Sequence, residues 1–436
     1  MKILVIGSGP AGSEAALIAA KQGHDVTCFD PNLGGVCLNE GCIPTKALLE
    51  DSIHLVKALQ FGASFSPSSL ASQLHDHKNT IITDLRAGLL ASFKAAHVQY
   101  LPINVHFEDP HHLMDDEGNR YEGDRIVIAT GAHASLPKLP MEHPEKCLTS
   151  RDLLNRVFSE PQRFIIIGAG VIGCEMASFL TLQGHTVTLL DSAQTLLSQA
   201  PKNLAQGLSR DLKQNGIAME MNASIQQINE ESFGFTVLTN TQTLECDHIV
   251  VATGRKINLD SLQLTNANIE MNGALPTLNL NHECSQTHIV VLGDASGTLQ
   301  LAHSATSQAR QWGEHLKTGK DFESIIVPNV IYTPLQAAWV GQCDESQAKV
   351  YKTLLTSNAK QKILLGTRAT ITWYVSENHL VGAEILSADA VELIGYCTNW
   401  IQQKTDLRSL SSLCFAHPSL SEAFYPLIEQ VHALSS

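Results

Sequence analysis

Gly7-Ser-Gly-Pro-Ala-Gly12 opens the run Ser-Glu-Ala-Ala-Leu-Ile-Ala-Ala-Lys-Gln-Gly-His-Asp-Val-Thr-Cys-Phe-Asp30. Much later, Gly168-Ala-Gly-Val-Ile-Gly173 opens Cys-Glu-Met-Ala-Ser-Phe-Leu-Thr-Leu-Gln-Gly-His-Thr-Val-Thr-Leu-Leu-Asp191. The copies align without a gap: Glu14 falls on Glu175, Gly23 on Gly184, His24 on His185 and Asp30 on Asp191. Apolar runs, Ile3–Ile6 and Phe164–Ile167, precede them. Each copy therefore reads as strand, glycine turn, helix, strand, acid.

The pattern has a physical use. The first glycine (Gly7, Gly168) makes a tight turn, the second (Gly9, Gly170) admits a pyrophosphate, and the third (Gly12, Gly173) packs helix on strand. Pro10 and Ala11, like Val171 and Ile172, would form the helix N-terminus that attracts phosphates. Asp30 and Asp191 stand where a ribose hydroxyl is held. One such loop is a weak sign. Two, each with strand, helix and acid in place, predict two nucleotide sites. Arg125-Ile-Val-Ile-Ala-Thr-Gly131 and His248-Ile-Val-Val-Ala-Thr-Gly254 repeat as closing strands, and Thr287–Asp294 reads as a further buried strand ending in Gly293-Asp294.

Between the copies lies Leu33-Gly-Gly-Val-Cys-Leu-Asn-Glu-Gly-Cys-Ile-Pro-Thr-Lys46. Gly34 and Gly35 favour a turn, and the rest reads as helix. Residues five apart in a regular helix have Cα atoms roughly 8–9 Å apart, whereas a disulfide needs about 4.4–6.8 Å. Bonding Cys37 to Cys42 therefore requires a distorted backbone, which Gly41 tolerates and Pro44 assists. Distorted bridges are the labile, catalytic kind. On these residues alone, two buried unpaired cysteines fit as well. The adjoining nucleotide unit favours a redox pair.

Composition sets bounds. The 436 residues suffice for two to four domains, and 44% are hydrophobic. No apolar run approaches a membrane span, and the opening Met-Lys-Ile-Leu-Val-Ile-Gly7 reads as a strand rather than a targeting signal. The ten cysteines are scattered and suit a reducing, cytoplasmic setting. A net charge of −14 argues against nucleic acid or an anionic membrane as partner. No metal site is read.

The expected fold class is α/β: two Rossmann-like dinucleotide-binding domains and a C-terminal α+β domain. The boundaries are drawn at 1–148, 149–256, a central 257–322 that returns to the first domain, and 323–436. Glu50–Val98 reads as helical with a loop at Ser64–Ser69. A helix is expected near Leu301–Leu316 and another over Asp389–Lys404, with a polar loop over Cys414–Glu422.

These residues resemble the flavoprotein disulfide reductases, the dihydrolipoamide dehydrogenases in particular, over nearly the whole chain. The carrying motifs are Gly7–Gly12, Gly34–Lys46, Thr130-Gly131, Gly168–Glu175, Thr253-Gly254-Arg255, Gly293-Asp294 with Leu301-Ala302-His303, and His417-Pro-Ser-Leu-Ser-Glu422. The resemblance implies FAD at the first repeat, with Asp30 on the adenosine ribose, Gly35, Val36 and Lys46 beside it, and Asp294 on the ribityl side. It implies a nicotinamide nucleotide at the second repeat, and a Lys46–Glu175 pair beside the flavin. By sequence alone, Lys46 also reads as a solvated helix lysine. Asp191 can accept from the 2′-hydroxyl of NAD and would repel the 2′-phosphate of NADP; no Arg lies between Asp191 and Asn203.

His417 alone is one of nineteen histidines in a loop. By resemblance it is the base that makes a substrate thiolate, oriented by Glu422. The implied reaction passes an electron pair from a dihydrolipoyl dithiol through Cys37 and Cys42 to FAD and NAD. The implied partners are a second copy and the lipoyl domains of a 2-oxoacid dehydrogenase or glycine cleavage complex. Departures are Phe415 where a second His is usual, Asp30 for Glu, Tyr332-Thr-Pro-Leu-Gln336, and a somewhat short chain. They leave open another disulfide substrate or a poorly catalytic FAD-binding scaffold. A C-terminal cysteine pair, expected of a mercuric ion reductase, is missing from His-Ala-Leu-Ser-Ser436.

Overall fold

The apolar runs at Lys2–Ile6 and Arg163–Ile167 become the central strands of two separate parallel sheets. In the computed structural model, residues 1–64, 67–364 and 369–433 are described. The first sheet runs Ile289–Val291, Arg125–Ile128, Lys2–Ile6, Asp25–Phe29, Gln99–Leu101. The second runs Leu148–Thr149, His248–Val251, Arg163–Ile167, Thr186–Leu190, Ala218–Glu220. All pairings in both are parallel. The register repeats too: Ile6 faces Phe29 as Ile167 faces Leu190. Strands buried on both faces need continuous Val/Ile/Leu runs, as here.

The glycine loops explain why the repeat is so strict. A Cβ on Gly12 would stand 1.9 Å from Gly7 O, and one on Gly173 would stand 1.8 Å from Gly168 O. The middle glycines, Gly9 and Gly170, would meet nothing within 4 Å. Behind the first loop, the small residues Ala15 and Ala19 of helix Pro10–Lys21 pack with Ala305 and Ala309 of helix Ala302–Thr318. Gly313 lets the second helix approach Ile18, where a Cβ would come within 2.3 Å.

The remaining unit is an antiparallel five-stranded sheet, ordered Asn329–Ile331, Gln336–Gly341, His379–Ser387, Thr370–Ser376, Lys349–Leu354. Helix Ala390–Gln402 covers it, and fully buried Trp373 packs between Trp400 at 5.5 Å and Phe424 at 5.7 Å. Ile331, Leu335 and Ala337 join the core of the second unit instead, so this sheet reaches back towards the site.

Two local expectations need correction. The cysteine segment is not one helix: Gly35–Asn39 ends at Glu40, and a new helix runs Cys42–Gln60. The second helix of Glu50–Val98 starts at Pro67, inside the loop expected at Ser64–Ser69, because proline suits a first helical position. Residues 65–66 of that loop lie outside the described residues.

The loop packing makes a paired prediction. Gly173→Ala loses about 1–3 kcal/mol of stability in urea unfolding of the ligand-free protein. Gly170→Ala shifts it by less than about 0.5 kcal/mol. Equal effects at both positions would contradict the packing account.

Candidate functional site

The segment carrying Cys37 and Cys42 is brought to the first glycine loop at Gly34 and Gly35. Gly34 and Gly35 take positive φ values of 93° and 60°. A Cβ on Gly35 would lie 2.9 Å from Gly9 Cα. Gly34 N donates to Ser8 Oγ at 2.8 Å, and Ser8 Oγ donates to Asp30 Oδ2 at 2.8 Å. The middle of the glycine loop thus holds the start of the cysteine segment. At the break, Gly41 adopts φ −136°, ψ −107°, and a Cβ there would press to 3.1 Å on Val36 O. The distortion expected at Gly41 is therefore real.

Both cysteines are free, half-buried thiols joined by a hydrogen bond. That bond pushes the Cys37 thiol up and lowers Cys42 to about 7, the Cys37 hydrogen bond being the largest cause. Burial opposes the shift at Cys42, and Lys46 and Arg255 assist it. Cys42 also opens a 19-residue helix with no side-chain cap. Its free N–H groups and the helix dipole favour a thiolate there.

One turn further along that helix, Lys46 Nζ donates to Glu175 Oε2 at 2.6 Å. Glu175 is 3% exposed and comes from the second repeat's helix, Val171–Leu182. Its other oxygen accepts from Tyr332 N at 3.0 Å, and the Tyr332 ring lies under Lys46 Nζ, 4.7 Å away at its centroid. Tyr332 was visible in the sequence only as part of a departure from pattern. Its role depends on a strand end folding back from the third unit, which no local motif signals.

Arg255 follows Thr253-Gly254 and lies 3.4 Å from Asp294. Burial raises the Asp294 carboxyl, and Arg255 offsets this. Asp294 sits in a turn, Gly293–Ser296, tied by Gly293 N donating to Gln308 Oε1 at 2.7 Å. Leu301, Ala302 and His303 begin the Ala302–Thr318 helix, but the His303 ring turns to Pro328 O at 2.8 Å.

The loops fit nucleotides. Open space adjoins Gly9, Gly131, Gly170 and Gly254, where an added Cβ meets nothing within 4 Å. Among the described residues, buried Thr130 Oγ1 and Arg255 Nε have no hydrogen-bond partner, as donors to a bound nucleotide would. Pro10 and Val171 begin 12-residue helices behind Gly9 and Gly170. The acids are partly used: Asp30 accepts from Ser8 N at 2.7 Å and Asn32 N at 2.8 Å, and Asp191 from Ala169 N at 2.6 Å and Ala193 N at 2.8 Å. Each acid therefore clamps its own glycine loop, a task the sequence reading did not assign to it.

His417 and Glu422 lie elsewhere on the chain. His417 Nδ1 meets Glu422 Oε1 at 2.9 Å, and Ser419 N donates to Glu422 Oε2 at 2.8 Å. The Ser419 amide, then the His417 bond, hold the Glu422 carboxyl below its usual range. The His417 side chain is 74% exposed. Phe415 N donates to the Tyr425 hydroxyl at 2.8 Å, and its ring packs on Tyr396, Phe424 and Tyr425. Apolar packing thus occupies the place where the resemblance leads one to expect a second His.

Among the described residues, no helix is long and apolar enough to cross a membrane. The chain is similar to a dihydrolipoyl dehydrogenase of Bacillus subtilis, 29% identical over 98% of this chain and 97% of that one. It is similar to a dihydrolipoamide dehydrogenase of Chaetomium thermophilum, 30% identical over 97% and 89%. Among solved structures it superposes on the HOCl-induced flavoprotein disulfide reductase RclA from Escherichia coli with a TM-score of 0.89, at 25% identity, over 98% and 99% of the chains. Residues 327–427 match the dimerisation domain of the pyridine nucleotide-disulphide oxidoreductases, which supports a homodimer. With residues 1–309 matching that family's main model as well, the chain belongs to the pyridine nucleotide-disulphide oxidoreductases, flavoproteins that use FAD and NAD(P).

Proposed function

We propose that this protein oxidises protein-bound dihydrolipoyl groups to the lipoyl disulfide through Cys37 and Cys42, with NAD as final acceptor. The observation that carries the reading is the dithiol held against the first glycine loop by Ser8 and Gly35, with the Lys46–Glu175 pair one turn away. Residues 1–148 and 257–322 would form the flavin unit, 149–256 the NAD unit and 323–436 the interface. FAD and NAD, when bound, supply the electron acceptors.

The chain's own residues do the rest. Glu422 holds His417 Nδ1, leaving Nε2 to take a proton from one substrate thiol. The resulting thiolate attacks Cys37 of the oxidised pair on the partner subunit, and Cys42 leaves as thiolate. The Lys46 and Arg255 charges, which lower the Cys42 thiol, suit a leaving sulfur there. The second substrate thiol then displaces Cys37, closing the substrate disulfide and leaving the enzyme pair reduced. Lipoyl domains of a 2-oxoacid dehydrogenase or glycine cleavage complex are the partners this chemistry fits. A reducing cytoplasmic setting suits ten free cysteines.

A second reading, a reductase for another disulfide, is favoured by the likeness to RclA and by the apolar surroundings of Phe415. One experiment separates the two. Anaerobic holoenzyme is mixed in turn with dihydrolipoamide, glutathione, NADH and NADPH while the flavin spectrum is followed. Bleaching by dihydrolipoamide and NADH, but not by glutathione, supports the first reading. Bleaching by NADH alone supports the second.

Two substitutions sharpen the test. His417→Ala lowers dihydrolipoamide turnover by roughly 10²–10⁴-fold while flavin reduction by NADH persists; unchanged turnover would exclude His417 as the base. Asp191→Ser narrows the preference for NADH over NADPH by about tenfold, the effect of about 1.4 kcal/mol. Measured kcat/KM ratios for the two nucleotides check this, and an unaltered ratio would remove Asp191 from cofactor choice.

A further inference from the structure

The Lys46 ammonium is held from two directions. Glu175 Oε2 accepts from it at 2.6 Å, and the Tyr332 ring lies across from it at 4.7 Å. Tyr332 follows directly on strand Asn329–Ile331 of the third unit, and its backbone N–H engages the other Glu175 oxygen. Thr333 Oγ1, donating to Leu335 O at 2.6 Å, fixes the turn that presents the ring. Tyr332 therefore touches both members of the ion pair. Lys46 lies four residues past Cys42 in the same helix, so both side chains share one face. The groups facing Cys42 are Cys37 from the short helix, Lys46, Glu175 and Arg255. Burial raises the Tyr332 phenol, so it presents a neutral ring.

We propose that Tyr332 is a positioning residue, its ring face holding the Lys46 ammonium at one place between Glu175 and the Cys37–Cys42 dithiol. The inference rests on Cys42 being a working thiol, as argued above. A lysine stem is flexible, and a carboxylate on one side leaves its ammonium free to swing. An aromatic face attracts the cation from a second direction and limits that swing. Glu175 is itself a negative neighbour of Cys42. The position of the ammonium thus decides how much positive charge the Cys42 sulfur meets.

The test reads the thiol directly. Reduced holoenzyme is treated with iodoacetamide across pH, and alkylation at Cys42 is followed by peptide mass. Tyr332→Phe keeps the wild-type profile. Tyr332→Leu slows alkylation at neutral pH by roughly three- to tenfold and moves the midpoint upward. Replacing Tyr332 by mono-, di- and trifluorophenylalanine weakens the ring face at nearly constant size, and the rate falls stepwise. A flat fluorinated series overturns the proposal, and so does a folded Tyr332→Leu that titrates like wild type. Should Tyr332→Leu not fold, the fluorinated series decides alone. The titration uses no lipoyl substrate, so its result stands apart from whether dihydrolipoamide is turned over.

Discussion

Glu175 is a nearly buried carboxylate that three parts of the chain must satisfy together. It belongs to the second nucleotide unit, its cation comes from the cysteine helix of the first, and its backbone donor comes from the third. A buried charge left without partners costs several kcal/mol, so the three units are bound to one geometry at this point. That geometry also sets where Lys46 stands and, through the shared helix face, what Cys42 experiences. The same contact therefore joins the three units and places charge beside Cys42.

The duplicated glycine loop gives the second constraint. In each copy the outer glycines are closed by steric contact and the middle one opens to space. The acid that ends the second strand turns back on the loop, Asp30 to Ser8 N and Asp191 to Ala169 N. The repeat therefore preserves a clamp as well as a nucleotide cradle. In the first copy alone, the clamp extends through Ser8 Oγ to Gly34. A serine at that position, in place of Ala169, lets the first loop carry a cysteine segment while the second carries none.

Much of this was legible in the sequence because it is local. Strand, turn, helix and acid follow one another within thirty residues, and the α/β class with its two parallel sheets follows from them. A distortion at Gly41 was legible as well, since the separation of Cys37 from Cys42 in an unbroken helix exceeds what a disulfide spans, but not that it divides the segment into two helices. The rest was hidden because it is made by distant chain. Tyr332 reaches the Lys46–Glu175 pair across more than 150 residues of sequence, Tyr332 N to Glu175 being 157 residues apart. Ser8 looked like an unremarked filler between glycines until Gly34 folded onto it. Such contacts leave no periodicity and no spacing to read.

His417 poses the complementary problem. Its partner Glu422 was legible five residues away, and the structure joins them at 2.9 Å. Yet the imbalance of exposure is instructive: the histidine side chain is 74% exposed and its carboxylate 22%. Ser419 N holds one oxygen of the carboxylate and the other meets His417 Nδ1, so the imidazole is presented outward. The neighbouring wall, Tyr396, Phe415 and Tyr425, belongs to the segment matched to the dimerisation domain. An outward-facing imidazole beside an apolar wall, on the segment matched to the dimerisation domain, has no thiol of its own subunit set against it among the contacts described. Under the proposed reaction it deprotonates a substrate thiol that then attacks Cys37 of the partner subunit, which ties the chemistry to the dimer and makes separated subunits inactive towards dithiols.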